Sequence, residues 1–457
     1  MSAPVLWIVF PAAVGLTMML FLKQQRLLKW AGSITSFLLL LISLFQPIGK
    51  VLRIGGIVID VKPELRLLGR ALILENDDRA ALMLLFGILF IFISTMNRSY
   101  FPAKIIPLSI LITSVLISAL AVQPFLYSAV LVEVAVLLMI PLVREKTSHL
   151  DRGILRFIIY LSLAMPFILF TGWVLGGGQA SPSEGKQLTS AAVFLAIGFT
   201  FWLAVFPFHS WVPQFAARVN PFYLSLIFNL LPITVLLLMI DFISNYIWLR
   251  DSVYLSPVLR SVGIIMIVTA GVWMSVEKEI KRLMGYCVLV ESGFSLLMLS
   301  LLANGGVQLL YQSLIPRILA LLLVGYSLAI MVSFGMELSL QGIRGGIRKL
   351  PFSSIGILIG LFTLAGFPLF PGFPYKLETL NQVGQVSTGS MIWIAVGLAG
   401  MVLGMLKVFI SLTYPGNEKL KIHETITQVI IICTGSLLLI ILGWVPGIIS
   451  HLIRFIT

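Results

Sequence analysis

The chain of 457 residues is 59% hydrophobic and only 11% charged, with a mean hydropathy of +1.06. This places it among polytopic membrane proteins and excludes a sizeable soluble catalytic domain. Its formal charge of +13 sits in short loops between apolar runs, where it reads as an orientation signal and a contact to anionic lipid, not as a nucleic-acid surface. Cys287 and Cys433, each inside an apolar run, offer neither a disulfide framework nor a metal site. No cofactor is therefore expected, and any redox chemistry belongs to partners.

Apolar runs of spanning length lie near 4–22, 30–48, 81–96, 104–122, 124–143, 154–175, 189–213, 221–247, 258–275, 283–303, 306–335, 353–381, 390–413 and 426–447. They predict an all-α fold of about fourteen transmembrane helices. The run from Pro4 to Leu22 lacks the basic start of a signal peptide and is taken as the first span. Basic residues cluster in alternate loops: Lys23, Arg26 and Lys29; Arg98 and Lys104; Arg144, Lys146 and Arg152; Arg218; Lys278, Lys281 and Arg282; Arg344, Arg348 and Lys349; Lys419 and Lys421. The positive-inside rule makes that side cytoplasmic and both termini external. The segment 49–79 mixes Lys50, Arg53, Lys62, Arg66, Arg70 and Arg79 with Asp60, Glu64, Glu75, Asp77 and Asp78. It is expected to fold as an external hairpin, with a short β-hairpin over the Ile- and Val-rich 51–61. Residues 176–186, rich in Gly and Ser, read as a plain connector.

Two spans are interrupted. The seventh holds Pro207 and Pro213 around His209, and the twelfth holds Gly366, Pro368, Pro371, Gly372 and Pro374. Proline removes a backbone donor and clashes one turn back, so both stretches are expected to break. Broken backbone at membrane depth is tolerated only when buried in protein or lining a cavity. Paired breaks at corresponding places point to two inverted five-helix repeats, here 104–247 and 258–413, preceded by a three-helix segment 1–103 and followed by a last helix in 414–457.

The motifs within those spans resemble one family. Pro207-Phe208-His209-Ser210-Trp211-Val212-Pro213, the stretch Glu279-Ile280-Lys281-Arg282-Leu283-Met284-Gly285-Tyr286 with Ser292-Gly293-Phe294, and Phe370-Pro371-Gly372-Phe373-Pro374-Tyr375-Lys376 are similar to signatures of the antiporter-like subunits of respiratory complex I, membrane-bound hydrogenases and Mrp-type cation/proton antiporters. The resemblance covers roughly residues 100–410 and implies a line of buried ionisable residues in each half, joined by water, as a proton or sodium path.

Charges inside spans are costly, about 2.5–3.5 kcal/mol by insertion scales, and persist mainly where they have a function. The inventory is Glu133, His209, Asp241, Glu291, Arg317, Lys376 and Lys407. By the resemblance, Glu133 matches the fifth-helix glutamate that modulates a lysine in helix seven. That lysine position, five before Pro207, is occupied by Trp202, and the eighth-helix lysine is absent where Pro232 follows Leu230-Leu231. Glu291 stands where the family has histidine. Arg317 lies near the eleventh-helix lysine, where it balances Glu291 or Glu378 but relays protons poorly because it stays charged. Lys376 matches the twelfth-helix lysine, with a structural pair to Glu378 as the competing role. Lys407 resembles the thirteenth-helix base, with snorkelling to the interface as the competing role. His209 reads equally as a proton carrier or as a cap where the helix unwinds. Asp241 reads as a solvated interfacial carboxylate.

Three functions are compatible with this inventory. The first is an antiporter-like subunit of a complex I-related or membrane-bound hydrogenase-type assembly, contributing to proton or sodium translocation alongside other membrane subunits, lipids and a redox-active peripheral arm in a prokaryotic cell membrane. The second is a degenerate, non-conducting assembly subunit of such a complex. The third is a self-standing secondary transporter for a small solute, which needs an enclosed site that the charge inventory does not point to; an Mrp-type cation/proton antiporter subunit is a further alternative.

Overall fold

A computed structural model of the protein describes residues 2–49, 51–54, 57–67, 69–96, 102–143, 151–176, 185–415 and 422–456. Lys50, Arg98, Arg144, Lys146, Lys419, Lys421 and most of the expected connector 176–186 lie outside the described residues.

Nineteen α-helices run through the described residues: α1 Phe10–Leu20, α2 Gln25–Phe45, α3 Arg79–Thr95, α4 Ile105–Ala121, α5 Ser128–Val143, α6 Arg152–Gly176, α7 Gly185–Trp202, α8 Trp211–Arg218, α9 Pro221–Asn245, α10 Ile247–Arg250, α11 Leu255–Val276, α12 Ile280–Leu299, α13 Gly306–Ser333, α14 Gly346–Lys349, α15 Pro351–Ala365, α16 Gly372–Val386, α17 Thr388–Thr413, α18 Ile426–Trp444 and α19 Gly447–Ile456. Ten helical stretches are long and apolar enough to cross a membrane, and four shorter apolar ones are Val5–Leu20, Ile105–Ala121, Gln187–Trp202 and Pro351–Ala365. The centre is formed by α4, α9, α12 and α13, which are buried nearly all round. α2, α6, α11, α17 and α18 bury one stripe and leave the rest apolar and exposed, as lipid-facing helices do. α11 and α17 meet backbone to backbone, because a Cβ on Gly271 would lie 2.0 Å from the Gly397 carbonyl oxygen.

The all-helical expectation needs one correction. The hairpin expected over 51–61 is present as antiparallel strands β1 Val51–Ile54 and β2 Ile57–Asp60. A second sheet of β3 Glu64–Leu67, β4 Arg70–Ile73 and β5 Val122–Gln123 joins it on the same end of the molecule. Leucine and charge alternate weakly there, so the pattern gave no clear period; Gly69, at φ +75°, makes the turn that a side chain would strain. Arg79, expected in that surface segment, is instead buried. Its Nε and Nη2 donate to the carbonyls of Ser43 (3.1 Å) and Leu44 (2.5 Å), filling acceptors that the end of α2 leaves open.

Both expected breaks are present, at 203–207 between α7 and α8 and at 366–371 between α15 and α16. Pro207, Pro368 and Pro371 lie in or at them, and Gly372 opens α16. Pro213 does not break anything. It is the third residue of α8, where its missing donor is one the first turn leaves unpaired anyway. Among the described residues the two non-glycine positive-φ positions are Ala204 (54°) and Leu369 (76°), one in each break. Such strained backbone persists where the surroundings over-determine it, commonly at functional sites.

Candidate functional site

The second break carries the charges. When α15 stops at Ala365, its last carbonyls lose their helical partners. Gly366 N donates to Thr363 O (3.1 Å) and Phe367 N to Phe362 O (3.1 Å). The carbonyl of Leu364 accepts instead from Nζ of Lys376, which reaches back from the first turns of α16. A cation there is also favoured by the negative end of the α15 dipole. The same Nζ donates to Oε1 of Glu291 on α12 at 2.6 Å, and it lies 4.8 Å from the centre of the Phe294 ring. Both side chains of this ion pair are more than nine-tenths buried. A buried pair of this kind holds only if the remaining donors are also engaged, which the Leu364 carbonyl and the aromatic face provide.

Arg317 on α13, 2% exposed, lines the same cavity of about 10 Å³ as Glu291, Lys376 and Tyr375. Its Nη1 makes a long bond to Ser295 Oγ (3.4 Å), while Nε and Nη2 have no partner. The hydroxyl of Tyr375 is also unpartnered. The space is about one water molecule in size, and that water would have partners on several sides. The cluster thus holds two cations and one carboxylate around a water-sized polar cavity. Such an arrangement can accept, hold and pass on a proton by shifting the carboxylate and the lysine ammonium against a fixed guanidinium.

The anticipated Lys376–Glu378 pair does not form. Residues two apart on a helix face different directions, so Glu378 is exposed and accepts from Gln382 Nε2 at 2.7 Å. Arg317 likewise faces Glu291 and not Glu378.

The first break carries no buried ion pair. Trp202 is 2% exposed, edge-on to Phe199 with ring centres 5.6 Å apart. With Ala204, Trp211, Phe228 and Pro232 it lines a cavity of about 20 Å³ whose walls hold no titratable group. Glu133 does not line that cavity. It sits half-buried on α5, where Oε1 accepts from Ser162 Oγ on α6 at 2.6 Å and Oε2 is unpartnered. His209 stands in a single turn after the break, half-buried and stacked on Phe206 at 5.5 Å. Its Nδ1 has no partner. Lys407 is exposed on α17 and donates to the carbonyl of Ser275 near the end of α11, apart from the buried cluster. Asp241 is half-buried near the end of α9, so it is less solvated than the sequence suggested. Of the anticipated residues, then, Glu291, Arg317 and Lys376 converge; Glu133, His209 and Lys407 lie elsewhere. The sequence reading missed Ser295, Phe294, Tyr375 and the Leu364 carbonyl. Ser295 and Phe294 were within reach of it, one turn or less beyond Glu291 on the same helix.

The family described as NADH:quinone oxidoreductase/Mrp antiporter, TM, matches residues 178–403, a stretch that contains both breaks and the whole charged cluster. Over that stretch the chain is similar to the antiporter-like membrane subunits. Among curated relatives, NADH-quinone oxidoreductase subunit N 2 of Opitutus terrae is 25% identical over 224 residues, which is 47% of this chain and 44% of that one. The antiporter-like chain thus spans about half the length of the first curated relatives it matches. The likeness of folds extends further. A chain of the membrane-bound sulfane sulfur reductase, an archaeal respiratory membrane complex, superposes with a TM-score of 0.82 at 16% identity, covering 99% of this chain and 97% of that one. A chain of respiratory complex I from Thermus thermophilus superposes with a TM-score of 0.74 at 17% identity, covering 96% and 98%.

Proposed function

We propose that this antiporter-like subunit works within a redox-driven complex related to respiratory complex I or the membrane-bound hydrogenases, and that it moves protons, or sodium ions, through the cluster at its second break. Electron transfer takes place in partner subunits: other membrane subunits and a redox-active peripheral arm. The observation that carries this reading is the Glu291–Lys376 pair, 2.6 Å apart and buried beside an unwound helix. A membrane protein keeps so costly an arrangement mainly for function.

The ten long and four shorter apolar helices support fourteen spans. Packing supports two five-helix repeats, of inverted topology by their odd number of spans. α4 packs on α5 and α9, α5 on α6, and α6 on α7 and α8; correspondingly α11 packs on α12 and α17, α12 on α13, and α13 on α15 and α16. The domain division is therefore 1–103, 104–247, 258–413 and 414–457. The alternation of basic residues between loops supports both termini on the external side of a prokaryotic cell membrane. A specific observation also favours a non-conducting first repeat: Trp202 and Pro232 close its centre with apolar walls. That repeat then serves assembly and insulation.

The test is purification of the intact complex in mild detergent, followed by reconstitution and measurement of ion uptake per electron. Recovery with iron-sulfur partners and a lowered ion-to-electron ratio in Lys376→Met supports the reading. An unchanged ratio removes the cluster from the path, and recovery without redox partners favours an Mrp-type antiporter.

A further inference from the structure

Three basic segments that are far apart in the chain meet at one cavity. It has a volume of about 290 Å³ and lies between the start of α6, the end of α8 and the start of α12. Arg152 and Arg156 of α6, Arg218 of α8 and Arg282 of α12 line it, with Asp151 and Gln214. α6 can begin here because residue 153 is glycine: a Cβ on it would lie 2.5 Å from the Gln214 carbonyl oxygen. That close approach sets the first turn of α6 against α8 and brings the four guanidiniums round one space.

Their charges are not balanced from within. Arg218 Nε holds Asp151 Oδ2 at 3.0 Å, and Arg282 Nε lies 3.0 Å from Oε2 of Glu279, the residue that precedes α12. Arg156 Nη1 donates to the neutral Gln214 at 2.6 Å, and Arg152 has no partner among the described residues. Two carboxylates among those residues thus face four cations. Like charges brought together repel, and a guanidinium keeps its charge at any reachable pH, so the surplus calls for an anion. The planar forks match the paired oxygens of a phosphate, and the N-terminus of α6 adds its own preference for negative charge.

The same helix relates this cavity to a bilayer. Along one face of α6, at steps of three, four or seven residues, the exposed side chains are Arg152, Arg156, Ile159, Leu163, Phe170 and Trp173. That face turns from charged to apolar after Arg156 and stays so to Trp173, about 26 Å further on at 1.5 Å per residue. The length is close to that of a hydrocarbon core about 30 Å thick, which sets the two arginines at headgroup level at one boundary and the tryptophan at the other. A phosphate held in the cavity would hang its acyl chains along Ile159 and Leu163.

We propose that this cavity binds the phosphate of an anionic membrane phospholipid, held by Arg152, Arg156, Arg218 and Arg282. The bound headgroup joins α8, the second segment of the first break, to α6 and α12. The proposal rests on the chain crossing a bilayer and is independent of whether the charged cluster conducts.

The experiment uses the complex with its native partners in nanodiscs of phosphatidylcholine with a minority of phosphatidylglycerol. The phosphatidylglycerol carries a photoreactive diazirine in its headgroup, and labelled peptides are mapped by mass spectrometry. Labelling within residues 151–159 and 214–218 is expected to exceed that of the exposed face of α17 about tenfold, equivalent to about 1.4 kcal/mol. It should also exceed that of Lys23 and Arg26, an exposed basic turn between α1 and α2. Arg152→Gln/Arg156→Gln and, separately, Arg218→Gln/Arg282→Gln should each bring the enrichment down to the α17 level without changing the labelling of α17. If either pair of substitutions prevents folding, the wild-type comparison with Lys23 and Arg26 decides alone. Equal labelling of the cavity and of that turn overturns the proposal, because it marks diffuse attraction to basic side chains. Enrichment that survives both pairs of substitutions in folded complex overturns it too. An unlabelled cavity in the assembled complex does the same and leaves the arginines to a partner subunit's carboxylates. Saturating inorganic phosphate, added at constant ionic strength, separates the two sources of phosphate: enrichment that persists assigns the site to the lipid, and its complete loss overturns that assignment in favour of free phosphate.

Discussion

Two apolar helical stretches among the described residues are interrupted, and they break alike in backbone but not in chemistry. Each break has one strained non-glycine residue, Ala204 or Leu369, and each is followed by a second helical segment. The fifth residue of that segment is Phe215 in α8 and Lys376 in α16. Phe215 is fully buried and stacked on Phe157 at 4.3 Å, whereas Lys376 is equally enclosed but holds Glu291 at 2.6 Å. The same fold therefore supports an aromatic plug at one break and a polar, water-sized site at the other. What makes the difference is a handful of side chains: Trp202, Phe215 and Pro232 on one side, and Glu291, Arg317 and Lys376 on the other.

That contrast can be broken first at the ion pair. Glu291→Leu alone leaves Lys376 and Arg317 buried without a counter-charge and should cost about 3–5 kcal/mol of stability, seen as a lower unfolding temperature of the purified complex; Lys376→Met, which leaves Glu291 facing Arg317, should cost less, and both should lose the subunit's ion transport. The double variant Glu291→Leu/Lys376→Met should recover part of the stability, Arg317 being left without a counter-charge, but none of the transport, which separates a working pair from a structural one. The converse change, Phe215→Lys in the first break, places a cation among the rings of Phe157, Trp211 and Phe228. A loss of several kcal/mol is expected there, with no gain of transport. A conducting Phe215→Lys variant would erase the distinction between the breaks.

Smaller effects sharpen the comparison. Arg317→Met removes a guanidinium with two unpartnered donors, so stability should stay within about 1 kcal/mol because the loss of the charge and of its desolvation cost offset each other. Transport should fall about tenfold, equivalent to about 1.4 kcal/mol, since the fixed charge that opposes Lys376 for Glu291 is gone. Leu369→Gly should raise stability by about 1 kcal/mol by relieving its positive φ, and calorimetry of the complex reads this directly. Glu133→Gln keeps an acceptor for Ser162 and should change neither transport nor stability by more than about 0.5 kcal/mol.

Much of this was legible in the chain. The proline and glycine clusters located both breaks, because a missing donor and a ring clash act locally. The short hairpin at 51–61 followed from its β-branched residues. Trp202 and Pro232 marked a first break without its lysines. The partners were less legible. That Lys376 meets Glu291 and the Leu364 carbonyl depends on α12, α15 and α16 converging, which no local period encodes. The sequence instead suggested Glu378, near in the chain but on another face of the helix. Glu133 and Lys407 looked like members of a path because charges in apolar runs are conspicuous. Only their packing shows one bonded to a neighbouring serine and the other capping the end of α11 at the surface.

The central claim is that ions move through the second break and not the first. Its most direct test is the ion-to-electron ratio of the reconstituted complex, measured side by side for Glu291→Leu/Lys376→Met and for Glu133→Gln, with electron-transfer rate as the common reference. A ratio lowered by one subunit's share in the double variant and unchanged in Glu133→Gln is the predicted result. A ratio that falls only in Glu133→Gln, or in neither, contradicts it.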